Sequence, residues 1–221
     1  MKKLLFSILV LGAMASCLMA ISNASISADS QIRWNGVVTA GSVITQGGNI
    51  TPVNISSVQL TSKWAAFYGN ISGSIILGDT SSITNVVYKW TYTTSAGGKV
   101  CVSNNTAQTF ASPINATTAL IDSNCGTTGA PDNATNTFQV ICPSLTLSTG
   151  SLTDFLASKI QGSSGFYTCA ATTAGATASS DHVFCTSINS TGTNYLGASN
   201  HYELIVPAPT TITYSFYAEL T

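Results

Sequence analysis

The amino-acid sequence predicts an all-β protein built as a two-sheet sandwich. Apolar and polar residues alternate over long stretches, and this period of two is that of side chains along a β-strand. Glycine, proline, asparagine and serine separate these stretches, as expected of tight turns between strands. Of the 221 residues, 44% are hydrophobic, which is enough for one domain with a core of its own.

The composition is unusually poor in charge. Charged residues make up 7% of the chain, against about 25% in an ordinary domain. Disorder does not explain this figure, because disordered chains are usually charged and poor in β-branched and aromatic residues. The formal net charge is −1 and the few basic residues are scattered, whereas nucleic-acid binding needs clustered lysine and arginine. We therefore expect no nucleic-acid partner.

The first residues have the pattern of a secretory signal peptide. A basic start precedes Leu4–Ala20, an uncharged apolar run slightly shorter than the roughly 20 residues that a membrane-spanning helix needs. Small residues suited to cleavage follow, at Ala20 and Ala24. We predict a signal peptide at residues 1–24 and a single mature domain at residues 25–221, exported to the cell surface or the extracellular space.

Two alternatives keep the chain at the membrane. The apolar run is either an uncleaved anchor or, since Met14–Cys17 resembles a lipoprotein box, a leader that ends in a lipid on Cys17. We favour the simpler interpretation, in which Cys17 is an apolar residue of a signal peptide that is removed. Loss of Lys2 and Lys3 with the signal leaves five of the seven basic residues against eight acidic ones, so the mature chain is mildly acidic.

Short β-prone runs follow the signal. Ile32–Thr39 and Val53–Leu60 predict strands, and the glycine and proline residues between them predict tight loops. Within the segment Ser25–Trp34, apolar residues recur at even spacing: Ile26, Ala28, Ile32 and Trp34. This segment is either the first strand of its own domain, which is the simpler interpretation, or a strand that is added to a neighbouring subunit.

The strongest strand pattern runs from Ser62 to Thr94 and predicts a long β-hairpin with its turn at Gly78–Ser82. Each predicted strand has one more apolar face, which we expect in the core. The apolar positions are Phe67, Ile71, Ile75 and Leu77 in the first strand, and Val86, Tyr88, Trp90 and Tyr92 in the second. Asn70 falls on the opposite, polar face and is expected outside.

Between residues 103 and 200 the strand pattern weakens, which predicts a loop-rich, disulfide-containing flank of the same domain. One short helix is predicted near residues 151–161. Ser151 is a capping residue there, Asp154 follows three positions on as in a capping box, and Gly162 ends the apolar period.

Further strands are predicted on either side of this helix. They lie at Lys99–Val102, Phe138–Ile141, Phe166–Ala170, Tyr202–Val206 and Thr210–Leu220. Together with the hairpin, they fit an immunoglobulin-like or jelly-roll-like sandwich.

Five cysteines remain once the signal is removed. Exported proteins meet oxidising conditions, so we expect disulfides. One cysteine stays unpaired unless the cysteine of the signal is retained or two chains are cross-linked, and any four of the five pair in three ways. Proximity along the chain favours Cys169 with Cys185, and Cys125 with either Cys101 or Cys142.

Asn-X-Ser/Thr sequons recur along the mature chain and predict N-linked glycans in a host that attaches them. They lie at Asn49, Asn54, Asn70, Asn104, Asn115, Asn133 and Asn189. Asn70 is the best placed of them, because the strand pattern puts it on a polar face.

No catalytic or metal-binding signature is present. Nucleophilic catalysis needs a base held beside a serine or cysteine, but no Gly-X-Ser-X-Gly elbow accompanies His182 or His201. Most acidic residues fall at turns, where they do not face one cleft as a glycosidase requires. His182 with Cys169 and Cys185 matches no paired zinc spacing. We therefore predict no enzyme activity, no catalytic residue, no metal site and no cofactor.

Exposed aromatic side chains suggest a second class of function. Trp90 falls on the apolar face of the predicted hairpin and is expected in the core, whereas Trp64 lies on a more polar face. Trp64 is therefore the better candidate for stacking on a sugar. The alternative to a structural protein is a carbohydrate-binding or adhesive module without catalysis.

Four stretches carry a family resemblance. They are TSKWAAFYGNISGSIILGD (Thr61–Asp79), VVYKWT (Val86–Thr91), GGKVCVS (Gly97–Ser103) and HYELIVPAPTTITYSFYAEL (His201–Leu220). Covering about a quarter of the chain, they resemble a family of exported archaeal β-rich surface proteins without an assigned activity. The resemblance implies an archaeal surface protein and transfers no catalytic residue. More loosely, the composition is similar to archaeal pilus and thread subunits, which are glycosylated β-sandwich proteins that assemble by strand donation.

These observations predict an exported, N-glycosylated structural protein of the cell surface, such as a subunit of an extracellular filament or coat. The expected partners are further copies of the chain or other surface proteins, with glycans attached covalently. Contact with the membrane is expected only through the signal segment or a lipid on Cys17.

Overall fold

The computed structural model describes residues 22–23, 26–28, 42–44, 46–54, 56, 58–78, 85–94, 97–105, 113–129, 131–143, 145–147, 150–152, 154–173 and 182–221. These parts of the chain are mostly β, as predicted. The strands are β1 (Ser22–Asn23), β2 (Trp64–Gly69), β3 (Ser74–Gly78), β4 (Val86–Thr91), β5 (Gly98–Ser103), β6 (Pro113–Asn115), β7 (Val140–Ile141), β8 (Thr146–Leu147), β9 (Gly150–Ser151), β10 (Leu156–Lys159), β11 (Tyr167–Thr173), β12 (His182–Ser187), β13 (Tyr202–Pro207) and β14 (Ser215–Leu220). A short helix, α1, spans Thr118–Cys125, and a single turn, α2, spans Ala134–Thr137.

Eight strands form the main sheet. Its order is β1-β14-β5-β12-β11-β10-β7, and β6 pairs with β11 off this path. Every pairing in the sheet is antiparallel. The central strands β5 and β12 are buried along most of their length, because both faces of the sheet are covered.

Different parts of the chain cover the two faces. On one face, Val102 and Phe184 pack with Leu204 of β13 and Ile121 of α1 in one apolar cluster. On the opposite face, the side chains of a second cluster pack beneath Leu145 and neighbouring residues of the segment 142–157. In the described residues, the layer over the first face is the two-stranded ribbon of β2 and β13, with α1 beside it.

The prediction of one long hairpin over Ser62–Thr94 is wrong for its first strand. β2 pairs with β13, so that Phe67 lies opposite Leu204. The chain leaves the strand conformation at residues 70–73, and only β3 pairs with β4. One continuous run of alternating residues therefore serves two separate sheets.

The contacts at residues 70–73 explain this break. The Ile71 N–H donates to Nδ1 of His201 (2.9 Å) rather than to a strand. A Cβ at Gly73 would lie 2.8 Å from Cδ1 of Leu220, so a larger residue would require the Leu220 side chain to shift where the chain passes the end of β14. Glycines inside a predicted strand often mark such close approaches.

The helix predicted near residues 151–161 is also wrong. β9 ends at Ser151, and Ala157 of β10 pairs with both β7 and β11. Between these strands, Asp154 adopts a left-handed conformation (φ 72°) within a turn. The capping-like pattern belongs to this turn, because pairing with two neighbouring strands fixes β10 in an extended conformation.

The helix α1 lies earlier in the chain, in a region expected to be loop-rich. Its N-cap is Thr117, whose side chain accepts from the Leu120 N–H, and its C-cap Gly126 is left-handed. Residues 103–200 also supply β6, β7, β10, β11 and β12. This region therefore builds much of the main sheet.

Several strand predictions are confirmed by β5, β11, β13 and β14, the last over Ser215–Leu220 only. Val53–Leu60 forms no strand in its described residues. The predicted strand Ile32–Thr39, the candidate lipid site Cys17 and nearly all of the predicted signal lie outside the described residues. Where the chain is described, no helix combines the length and apolar character needed to cross a bilayer.

Candidate functional site

The hairpin of β3 and β4 is the clearest candidate for a functional surface. Among the described strands, these two pair only with each other. Ile75 lies opposite Trp90 and Leu77 opposite Tyr88, so these four side chains share one side, which we call the hairpin face. Their exposed fractions are 42%, 49%, 56% and 57%, in the same order. The prediction that this side lies in the core is wrong, because the strand conformation breaks at residues 70–73 and β3 then pairs only with β4.

Two aromatic rings dominate the hairpin face. The ring centroids of Tyr88 and Trp90 are 4.7 Å apart and their planes are inclined by 53°. Trp64, by contrast, is half-buried: its ring packs on Phe138, and its Nε1–H donates to the Asp132 carbonyl oxygen (2.7 Å). Of these two tryptophans the more exposed is therefore Trp90, opposite to what the strand faces predicted.

The predicted glycosylation sites lie mostly at the surface. Exposed asparagines are Asn49, Asn54, Asn70, Asn104 and Asn115, whereas Asn133 and Asn189 are partly buried. Oδ1 of Asn189 accepts from N and Oγ1 of Thr191 (3.0 and 2.9 Å), and Oδ1 of Asn133 caps α2. These bonds use the side-chain oxygen, whereas an N-linked glycan would be attached to the amide nitrogen. Glycosylation at the seven sites stays a prediction.

Two disulfides form, but the pairing favoured by proximity is wrong. The bonds are Cys101–Cys185 and Cys142–Cys169, and Cys125 is a free thiol on α1. Cys185 lies between Cys101 of β5 and Cys169 of β11 in the register of the sheet. Because three of the cysteines form one row across neighbouring strands, the register places Cys101 beside Cys185 although the two are 84 residues apart in the chain.

A groove of about 280 Å³ lies beside Cys125. It is lined by Asn104, Asn124, Pro209, Ile212 and Tyr214, among others. Burial, and to a lesser extent the Asp122 carboxylate, raise the pKa of the Cys125 thiol to about 12. Burial likewise raises the pKa of Tyr214, whose hydroxyl donates to the Pro207 carbonyl oxygen (2.6 Å). Both groups are protonated at neutral pH, so neither is an activated nucleophile.

The histidines and buried acids make structural contacts. His182 is buried in β12 with Nε2 3.3 Å from Nδ2 of Asn124. Oδ1 of Asp122 accepts from Oγ1 of Thr127 and from the Ala134 N–H, both at 2.7 Å, and so joins α1 to α2. In the described part of the chain, His, Cys, Asp and Glu side chains form no group of three suited to a metal ion.

Among the described residues, Glu203 is the most deeply buried acid, with 1% of the residue exposed. Burial raises the pKa of its carboxyl, and a hydrogen bond from the Tyr195 N–H offsets part of this effect. No group in the described residues donates to its Oε2.

The N-terminal segment lies along the main sheet of its own chain at one point. Ser22 and Asn23 pair with Ala218 and Tyr217 of β14. Of the candidate strand-donor residues, Ile26 and Ala28 are exposed and belong to no strand; Ile32 and Trp34 lie outside the described residues.

The exposure of the hairpin face is the feature of this candidate surface that the sequence did not predict. Gly69 and Gly73, both inside the predicted long strand, were the available signal, since glycine weakens a strand interior and often marks a bend. No protein-family model, curated protein or solved structure matches this chain.

Proposed function

We propose that this chain is an exported, N-glycosylated structural protein of a cell surface, and that it works as a subunit of an extracellular filament or coat. The observation that carries the proposal is the pair of disulfides, one within the main sheet and one at its edge, whose four cysteines are at most 3% exposed. Such bonds are typical of proteins that fold outside the reducing cytosol.

Two further observations support an extracellular role. Five of the seven mature sequon asparagines are exposed, which suits a surface with few charges and attached sugar. The resemblance of the hairpin and C-terminal stretches to exported archaeal β-rich surface proteins extends the proposal to an archaeal source. On this proposal, the ribbon of β2 and β13 is part of the second sheet of an immunoglobulin-like or jelly-roll-like sandwich.

Strand donation by the segment Ser25–Trp34 is the mode of assembly that we propose. The outer edge of β14 supports it, because Tyr217 and Ala218 are its only residues paired with β1. The rest of that edge has no partner strand among the described residues, so it offers backbone groups to an added strand.

Mass spectrometry and electron microscopy of native surface material test this function. We expect a chain lacking its leader, carrying two disulfides and hexose-containing adducts on sequon peptides, and located in ordered polymers. Deletion of Ser25–Trp34 should abolish polymers and leave a folded monomer. A cytosolic, unmodified chain would contradict the proposed function, and general unfolding on deletion would contradict strand donation.

A carbohydrate-binding module is the second candidate, favoured by the exposed Tyr88–Trp90 pair. Aromatic faces of this kind stack on sugar rings. A glycan array checks it: binding should disappear in Trp90→Ala and persist in Trp64→Phe, whose ring is half-buried. No binding by the wild-type chain would rule this candidate out.

A further inference from the structure

We propose that the hairpin face formed by Ile75, Leu77, Tyr88 and Trp90 is a self-association surface, which packs against the same face of a second copy of the chain. This inference goes beyond the proposed function, because it assigns a contact between chains that export, glycosylation and strand donation do not require. It follows from the stability, area and chemistry of the hairpin.

Most of the hairpin is exposed to solvent. Every residue of β4 is exposed, and in β3 only Ser74 is partly covered. An isolated two-stranded hairpin is marginally stable in water. Four large apolar side chains on one side would gain from a covering layer, since removing apolar surface from water is favourable.

The exposed area fits a weak dimer. The four side chains of the hairpin face expose about 450 Å² per copy when their exposed fractions are scaled to typical residue areas. Two copies would therefore bury about 900 Å², which is the size of a weak or transient interface. Scattered exposed apolar residues need no explanation, whereas a contiguous patch of this size is often functional.

The chemistry of the hairpin face fits a copy of itself. Lys89 lies opposite Ile76 on the other side of the ribbon, so stacking two hairpin faces buries no charge. A two-fold axis parallel to the strands would place the aromatic strand of each copy over the aliphatic strand of the other. Tyr88 and Trp90 would then cover Ile75 and Leu77 of the second copy, and one patch would serve both sides of the interface.

Other partners fit this surface less well. Apolar segments that bind anionic lipid surfaces are usually flanked by clustered cations, and Lys89 is the only cation in β3 and β4. A sugar would meet the rings of Tyr88 and Trp90, but the aliphatic half of the face offers no groups to bind its hydroxyls.

Two neighbouring isoleucines provide a matched test. Ile75 and Ile76 have similar exposed fractions, 42% and 39%, and point to opposite sides of the ribbon. The chain would be expressed into an oxidising compartment and examined by sedimentation velocity from about 1 to 100 µM. We expect the wild-type chain to form a dimer. Ile75→Lys should raise the dissociation constant of the dimer about tenfold or more, because the lysine charge would be buried. Ile76→Lys should change the dissociation constant less than about threefold.

Three outcomes would overturn the proposal: a monomer at every concentration, equal effects of the two variants, or a monomer that binds glycans or anionic vesicles through Trp90 without dimerising. Both substitutions are at exposed positions, so far-UV circular dichroism should show folded variants. The proposed function is tested separately. A dimer that carries no glycans and forms no filaments would contradict the proposed function but not the dimer. Filaments that survive Ile75→Lys would support the proposed function and show that filament assembly does not need the hairpin face.

Discussion

The two disulfides differ in the length of chain that each closes, which allows their contributions to stability to be compared. Cys101–Cys185 spans 84 residues, and Cys142–Cys169 spans 27 within that loop. The perturbation is to replace one pair at a time, in the double variants Cys101→Ala/Cys185→Ala and Cys142→Ala/Cys169→Ala. All four cysteines are at most 3% exposed, so both variants lose similar buried surface and the comparison isolates loop closure.

Loop closure predicts the larger loss for the outer bond. A cross-link lowers the entropy of the unfolded chain by an amount that grows with the logarithm of the closed loop. With the other bond kept, which shortens each effective loop, the expected losses in free energy of unfolding are about 4 kcal/mol for the outer bond and about 3 kcal/mol for the inner bond. The difference of about 1 kcal/mol is the quantity to be measured.

Urea unfolding followed by tryptophan fluorescence supplies the measurement, with Cys125→Ala as the control. Cys125 is half-buried and unbonded, so its replacement should cost about 1 kcal/mol or less. If the inner-bond variant loses as much stability as the outer-bond variant, or more, the loop-closure reasoning is refuted. The inner bond would then act mainly through the folded state, by holding the segment 142–157 on the sheet.

Three further predictions follow from the described contacts. Because burial raises the pKa of Glu203, its contribution to stability is fully present below its unfolded pKa and is lost as the pH rises through its folded pKa. Glu203→Gln should therefore raise the free energy of unfolding at pH 7 by about 1–3 kcal/mol and change it little at pH 4; equal effects in urea titrations at both pH values would contradict this. In Cys101→Ser, the Cys185 thiolate should attack Cys169, its neighbour in the register, and release the other sulfur of that bond as a thiolate; peptide mapping that finds only the original bond would refute the exchange. Trp64→Phe should cost about 1 kcal/mol through the lost indole hydrogen bond, and unchanged thermal unfolding would show that this bond contributes nothing.

Much of the secondary structure was predictable because alternation is a local property. The period of two located β5, β11, β13 and β14, since a half-buried strand needs apolar residues on one side whatever its partner. The same pattern failed at residues 151–161, where apolar spacing and a capping-like serine fit a helix equally well. Pairing of β10 with both β7 and β11 decided in favour of a strand.

The candidate surface was predictable only in part. The sequence showed that Ile75, Leu77, Tyr88 and Trp90 alternate on single faces, and the register confirms that they share one side. Whether that side is covered depends on how the chain continues beyond the hairpin, and the turn at residues 70–73 separates it from the core.

The sequence by itself determined a mostly β chain, the positions of several strands and the cysteines available for two disulfides. Only the tertiary structure decided that β2 pairs with β13, that Cys185 bonds to Cys101, and that the hairpin face is exposed. The physical reason is the same in each case. Backbone and side-chain preferences act over a few residues, whereas strand partners, bonded sulfurs and covered faces are chosen among segments that are distant in the chain and brought together by folding.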